Sequence, residues 1–188
     1  MTRNYTLGRR AESQAETRKR IVEAAVALHS TVGPANTTVS MIAEKAGVQR
    51  HTFYAHFPDE RAMAMACSGL AFERDPPPDA EAWRSVGDRV ERLSAALRAI
   101  YDYYARNESL LACVLRDAEH HAVTREVMLL RYGPTISAWQ EVLGAGLKGK
   151  QRAMLTLALS FHTWRTLTRE AGLKPADAVK TMVAAVSA

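Results

Sequence analysis

The sequence has 188 residues and a formal net charge of +5, so it is long enough for one compact domain or for a small module joined to a larger one. It has no secretory signal and no run of about eighteen apolar residues, and we therefore expect a cytoplasmic protein without a spanning helix. The basic excess favours an acidic partner, either nucleic acid or an anionic membrane.

The N-terminal third of the chain changes character near residue 16. Residues 1–15 mix basic and polar side chains without apolar periodicity, which predicts a flexible basic arm. In the next stretch, "ETRKRIVEAAVALHSTVG", apolar residues recur at helical spacing until Gly33 and Pro34 end the pattern. The first helix therefore carries Arg18 and Lys19 in its opening turns, and both are candidate DNA contacts, although a solvated helix face would also explain them.

Two short helices are predicted between residues 37 and 57. Thr38 is a suitable N-cap for the first of them, and Gly47 ends it. The second helix buries Phe53 and Phe57 and is closed by Pro58. Its outer face then carries Gln49, Arg50, His51 and Thr52.

Helical patterns also dominate the rest of the chain. The prolines at 76–78 cannot continue a helix and mark a break. Beyond them, helices are predicted over about 80–105, 108–120, 122–145, 151–171 and 176–188, the third with a kink or split at Gly133 and Pro134. With no convincing strand pattern, the predicted fold class is all-α, with domains at 16–58 and 59–188.

The spacing of Ala43 and Gly47 predicts a helix-turn-helix. A small residue at the first position lets two helices cross closely, and the glycine tolerates the backbone of the turn. A helix of this size fits the major groove of DNA, where arginine can donate two hydrogen bonds to guanine and glutamine can pair with adenine. The exposed face of the second helix is therefore predicted to contact bases.

The stretch "TTVSMIAEKAGVQRHTFYAHF" resembles the DNA-binding segment of the TetR (tetracycline-repressor) family, and the resemblance covers residues 16–62. It implies phosphate or base-edge contacts from Thr38 and Ser40 and backbone contacts from Tyr54 and His56. It assigns base recognition to the outer face, Gln49, Arg50, His51 and Thr52. Many family members have a lysine where this chain has Glu60, which puts one phosphate contact in doubt unless Arg61 or the arm replaces it.

The resemblance also implies a transcriptional regulator, a repressor rather than an enzyme, that binds a palindromic operator as a homodimer and responds to a small-molecule effector. Two copies are expected because one recognition helix contacts only a few base pairs. The apolar excess of 151–171 and 176–188 favours these helices as the dimer interface. Candidate effector contacts in the C-terminal bundle are Phe72, Tyr104, Met128, Trp139 and His162, although packing alone explains each of them.

Other interpretations of the sequence remain open. Cys113, Asp117, His120 and His121 fall near one another on a helix, as in some soft-metal sites, but structural roles are the commoner explanation. A membrane-surface or helical adaptor protein would use the basic N-terminus on anionic lipid. A ligand-binding or enzymatic bundle would make the helix-turn-helix merely structural. No catalytic constellation stands out, and no catalytic residue, metal site or cofactor is predicted.

Overall fold

The computed structural model describes the backbone of residues 2–188 and the side chains of residues 8–188. This part of the chain is all-α, as predicted, and contains no strand. In chain order the helices are α1 (Thr2–His29), α2 (Val39–Ala46), α3 (Arg50–His56), α4 (Glu60–Arg74), α5 (Glu81–Arg84), α6 (Arg89–Arg106), α7 (Glu108–Ala118), α8 (Ala122–Leu143), α9 (Gly149–Ala158), α10 (Phe161–Arg165) and α11 (Pro175–Ser187). Among these residues, no helix combines the length and apolarity that crossing a bilayer requires.

The helices form two compact units. The first contains the residues up to Arg74 together with Ala112–Met128, and the second contains Asp75–Leu111 and Leu129–Ala188. The division differs from the boundary predicted at residue 58, because α4 groups with the preceding helices. The reason is that α4 contributes Met63 and Cys67 to the same apolar core as α1.

The core of the first unit is built from one face of each of its first four helices. Ile21 and Phe57 are completely buried, and Ile42 and Phe53 are nearly so. Burying side chains of this size contributes about 1.5–3 kcal/mol each. These contacts hold the short helices α2 and α3, which are below the length at which isolated helices are stable in water.

The second unit is organised around α6, which packs against α11, α10 and α5. Asp88 caps the start of α6 by accepting a hydrogen bond from the Glu91 amide at 2.8 Å. Leu97, Ile100 and Tyr101 lie fully buried along the helix. This unit also contains all three tryptophans of the chain, Trp83, Trp139 and Trp164.

The helix predicted over 151–171 is interrupted after Ala158. The Tyr101 hydroxyl donates to the Ala158 carbonyl at 3.0 Å, and the Tyr104 hydroxyl donates to the Leu159 carbonyl at 2.6 Å. These two tyrosines satisfy carbonyls at the end of α9, where an interrupted helix leaves acceptors without partners. The chain then continues as α10 and a π-helical turn, Thr166–Glu170.

Two further predictions of local structure differ from what is observed. Residues 2–15 belong to α1 and not to a flexible arm. They contain no proline, and each residue added to an existing helix gains one hydrogen bond. The segment 80–105 is broken between α5 and α6, where Gly87 precedes the Asp88 cap. Of the kink or split predicted at Gly133 and Pro134, the split does not occur, because α8 is continuous through Pro134.

The apolar residues that favoured 151–171 and 176–188 as a dimer interface mostly serve the core of their own unit. Val179, Met182, Val183 and Val186 of α11 are all buried, and α11 packs on α6 and α9. On the outer side of α9, Leu157 is 49% exposed. An interface at these helices would therefore use their outer faces and not the buried stripe.

Candidate nucleic-acid interface

The turn between α2 and α3 has the geometry that its sequence predicts. The Thr38 hydroxyl caps α2 by accepting from the Met41 amide at 3.2 Å. Gly47 ends the helix with φ of 64°, a left-handed conformation that other residues adopt only at a cost. The Val48 amide then donates to the Ala43 carbonyl at 2.9 Å. The predicted helix-turn-helix and both of its caps are confirmed.

The side chains predicted to contact bases lie on one face at the start of α3. Gln49 precedes the helix in extended conformation, Arg50 and His51 are exposed in its first turn, and Thr52 is half-buried. Phe53 points the opposite way, into the core. The structure thus brings the four polar side chains together at the end of the helix that would enter a groove, with the donors and acceptors that base edges require.

Tyr54 and His56 flank this face. The Tyr54 side chain is 48% exposed, and its ring meets Phe53 edge-on with centroids 5.5 Å apart. Its hydroxyl makes no hydrogen bond within the described part of the chain, so it is free to donate to a phosphate oxygen. His56 is half-buried with its ring 6.5 Å from that of Phe57.

Thr38 and Ser40 lie at the start of α2, and both are exposed. Because the Thr38 oxygen only accepts in its capping bond, its hydroxyl proton remains available to a phosphate. The unpaired amides at a helix N-terminus also favour an anion there. The geometry of these two residues is compatible with the phosphate contacts predicted for them.

The basic residues of α1 have different surroundings. The guanidinium of Arg18 lies 4.5 Å from the centre of the Phe57 ring, a cation–π contact, while Arg20 donates to the Ala46 carbonyl at 3.3 Å. Lys19 is exposed. Arg18 and Arg20 therefore help to hold α1 against the helix-turn-helix, and the position of Lys19 leaves its ammonium in solvent.

The start of α4 carries no uncommitted cation. Glu60 lies 3.1 Å from the Nε2 atom of His121, and Arg61 pairs with Glu126 at 2.7 Å. Glu60 cannot bind phosphate, and a phosphate contact by Arg61 would compete with its carboxylate partner. Arg61 therefore does not readily replace the phosphate contact that Glu60 cannot make.

An anchor between α7 and the turn before α2 was not predicted from the sequence. Asp117 is fully buried and accepts from the Ala35 amide at 2.9 Å and from Arg116 at 2.8 Å, while Arg116 also donates to the Val32 carbonyl at 2.9 Å. Burial alone would raise the pKa of Asp117, but the hydrogen bonds from Arg116 and the Ala35 amide outweigh it and hold the pKa below its usual range. Asp117 thereby fixes the turn that leads into α2.

The residues considered as metal ligands have other partners. Asp117 is committed to this anchor, and His121 contacts both Thr124, at 2.8 Å, and Glu60. Cys113 is buried beside the Thr31 carbonyl. Among the described residues no group of three potential ligands converges on one point.

The five predicted effector contacts are divided between the two units. Phe72 and Met128 belong to the first unit, and the other three belong to the second. Tyr104 packs against Phe161 and Trp164, and Trp139 is 2% exposed and donates to the Pro78 carbonyl at 2.8 Å. His162 is exposed. Tyr104 and Trp139 are core residues here, and the effector roles of all five remain predictions.

The sequence comparisons agree with this geometry. Residues 21–67, from α1 to α4, match the family model of the bacterial regulatory proteins of the tetR family. A stretch of 106 residues is 29% identical to the HTH-type transcriptional repressor KstR of Mycolicibacterium smegmatis and covers 56% of this chain. It spans 52%, about half, of the length of that relative.

Solved structures resemble the chain over most of its length. The fatty acid degradation regulator FadR of Bacillus halodurans has a TM-score of 0.63 and 17% identity, covering 90% of this chain and 94% of its own. A TetR-like transcriptional regulator from Rhodococcus sp. RHA1 has a TM-score of 0.64 and 18% identity, with coverages of 91% and 93%. AibR, solved with isovaleryl coenzyme A and operator DNA, has a TM-score of 0.60 and 19% identity, with coverages of 89% and 96%. At these identities the likeness shows a shared fold.

Proposed function

We propose that this chain is a member of the TetR family of bacterial regulatory proteins and a cytoplasmic, ligand-responsive repressor that binds a palindromic operator as a homodimer. The observation that carries the proposal is the outer face of α3. Gln49, Arg50 and His51 are exposed together on a short helix whose opposite face is packed in the core. Positioning such side chains rigidly is what recognition of base edges requires.

The phosphate contacts are proposed for the residues that flank this face. Tyr54 and Thr38 both offer a hydroxyl proton, and Ser40, His56 and Lys19 lie on the elements around them. Contacts of this kind set the register of the protein on the duplex without contributing sequence information. Their loss should weaken binding to every duplex by a similar factor.

A dimer is proposed because two recognition helices, about 34–36 Å apart, match successive major grooves on one face of DNA. The outer faces of α9 and α11 are the proposed interface, with Leu157 as an exposed apolar anchor. Sedimentation velocity should give twice the mass of the chain, and Leu157→Glu should shift the protein towards monomer. Val90→Glu is the matched control, because Val90 is similarly exposed, at 46%, on α6.

The effector is proposed to be an apolar or amphipathic small molecule bound by the second unit. Support comes from the apolar, aromatic interior of that unit and from the fold shared with AibR, whose structure contains isovaleryl coenzyme A. Such a ligand would weaken DNA binding by favouring a dimer in which the two recognition helices are out of register. Of the five residues predicted to line its site, Tyr104, Trp139 and His162 belong to this unit and are tested by substitution once a ligand has been found, whereas Phe72 and Met128 belong to the first unit.

The proposal is tested by fluorescence anisotropy with labelled duplexes that tile the DNA upstream of the gene, at two salt concentrations and with random duplex as competitor. Binding to one tile that survives the competitor and weakens steeply with salt supports a sequence-specific regulator. Weak binding that is equal on all tiles, together with sedimentation on anionic liposomes, would contradict it and favour the membrane-surface alternative.

A further inference from the structure

A cavity of about 250 Å³ lies within the first unit, whereas the effector site is proposed for the second unit. Residues of α1, α2, α3, α4 and the first turn of α8 surround it, together with the turn before α2. Its apolar walls consist of Pro34, Val39, Ile42, Phe53, Met63 and Ala64. A cavity of about 150 Å³ with apolar walls is known to bind benzene. This one has room for a ring and a short chain.

His29 contributes an unpaired polar side chain to the cavity. It is 8% exposed, and its imidazole makes no hydrogen bond to any other residue that the structure describes. Since no buried side-chain nitrogen or oxygen in the described part of the chain lacks a partner, the ring nitrogens of His29 are reachable from the cavity, where water or a bound molecule can pair with them. Burial lowers the pKa of His29 to about 4, against a smaller opposing effect of Asp117, so the ring is neutral at pH 7 and adds no positive charge.

The open side of the cavity is acidic. Asp59 and Glu60 line it and are exposed, beside the half-exposed ring of Tyr54. No lysine or arginine is among the twelve lining residues, although the chain as a whole carries +5. Glu60 contacts His121, and Asp59 caps α4 by accepting from the Ala62 amide at 2.7 Å, but a carboxylate can accept further hydrogen bonds.

We infer that this cavity binds a small organic cation, a primary amine carried on an apolar body of about ten non-hydrogen atoms. The apolar body fills the space between Ile42, Phe53 and Met63. The ammonium lies at the mouth, where it meets the carboxylates of Asp59 and Glu60 and the ring of Tyr54. An anionic ligand of the same size would meet two like charges and no cation. The site goes beyond the proposed function, and it needs neither DNA nor the effector of the second unit.

The site would place a ligand directly against the recognition helix. Phe53 and Tyr54 both belong to α3, and Met63 and Ala64 belong to α4. A bound amine would therefore contact both helices within one unit.

The test uses 2-phenylethylamine as the probe and the full-length, ¹⁵N-labelled protein without DNA. Titration should shift the backbone amide signals of Tyr54, Met63 and Thr124, with a Kd of about 0.1–1 mM, the range for a ligand of this size. The neutral isostere 2-phenylethanol should bind several-fold more weakly, and phenylacetate should not bind measurably. Equal binding of all three, or amide shifts confined to other regions, would overturn the inference.

Two variants distinguish the contribution of the cavity to amine binding from the contribution of the Glu60 charge. Ala64→Leu fills the cavity and should abolish binding, whereas Ala27→Leu, which adds the same atoms on an exposed face of α1, should leave it unchanged. Glu60→Gln should weaken the amine by about three- to tenfold, as expected for loss of one partly screened charge, and leave 2-phenylethanol unaffected. Unaltered amine binding to both Ala64→Leu and Glu60→Gln would overturn the inference. Since every readout is free of DNA, failure of operator binding would not be mistaken for failure of this site.

Discussion

Replacing Gly33 by alanine should strongly destabilise the first unit. Gly33 has φ of 92° and ψ of 158°, a region that is nearly exclusive to glycine and costs other residues about 1–3 kcal/mol. A Cβ atom built there also collides with the Asp117 carboxylate and with the Arg116 guanidinium. Because Asp117 is fully buried, it cannot move away without losing its bond to the Ala35 amide.

The expected cost is the sum of these two effects. Loss of a hydrogen bond to a charged group adds about 1.5–3 kcal/mol to the backbone strain, for a total of about 2.5–6 kcal/mol. A domain is stable by only about 5–15 kcal/mol, so the variant should lose a large share of its stability. Gly172→Ala is the matched control, since Gly172 also has positive φ, 69°, but a Cβ there meets no atom within 4 Å.

The assay is denaturation of the full chain followed by two signals. Far-UV circular dichroism reports both units, whereas tryptophan fluorescence reports the second unit, which contains all three tryptophans. Gly33→Ala should lower the midpoint of the dichroism transition by about 10 °C or more. It should also accelerate hydrogen exchange of the Ala35 amide. A midpoint within about 2 °C of the Gly172→Ala control would refute the anchoring role of Asp117.

Three further predictions concern charge and capping. Burial lowers the pKa of His29 from 6.5 to about 4 in the folded protein. Between these two pH values the unfolded chain binds a proton that the folded protein does not bind. The free energy of unfolding therefore decreases by up to about 3 kcal/mol as the pH falls through this range. Urea denaturation should show His29→Gln losing less stability than wild type between pH 7 and 4.5, and equal losses would contradict this. Glu60→Lys should tighten operator binding and steepen its salt dependence by about one counterion, and an unchanged slope would rule out a phosphate near α4. Asp88→Ala should cost about 1 kcal/mol by uncapping α6, and Asp88→Asn much less. Similar losses for these two variants in thermal denaturation would argue against the cap.

Local signals in the sequence sufficed to predict the helix-turn-helix. Thr38 and Gly47 determine where α2 begins and ends through contacts within a few residues, and the alternation of buried and exposed positions determines the outer face of α3. Pro58 likewise leaves Phe57 extended at the end of α3, with φ of −137°. Features of this kind depend on neighbours in the chain, which the sequence displays.

Contacts between distant residues account for what the sequence did not predict. The carboxylate of Asp117 bonds to the Ala35 amide across 82 positions, and nothing near either residue signals the pair. The break after α9 depends on Tyr101 and Tyr104, which are more than fifty residues earlier in the chain. Similarly, the apolar pattern of α11 favoured a dimer interface, but these residues pack within their own unit. Apolar periodicity indicates that one face of a helix is buried, and it does not identify the element that covers this face.

Base recognition by the outer face of α3 is the basis of the proposed function. It is tested most directly by measuring the affinity of wild type and Arg50→Ala for the operator and for each of its single-base-pair variants, with Arg98→Ala, an exposed arginine of α6, as control. Arg50→Ala should cost about 1–3 kcal/mol on the native operator and make the protein indifferent to one base pair in each half-site. A uniform loss on every duplex, or none relative to the Arg98→Ala control, would contradict base recognition by this face.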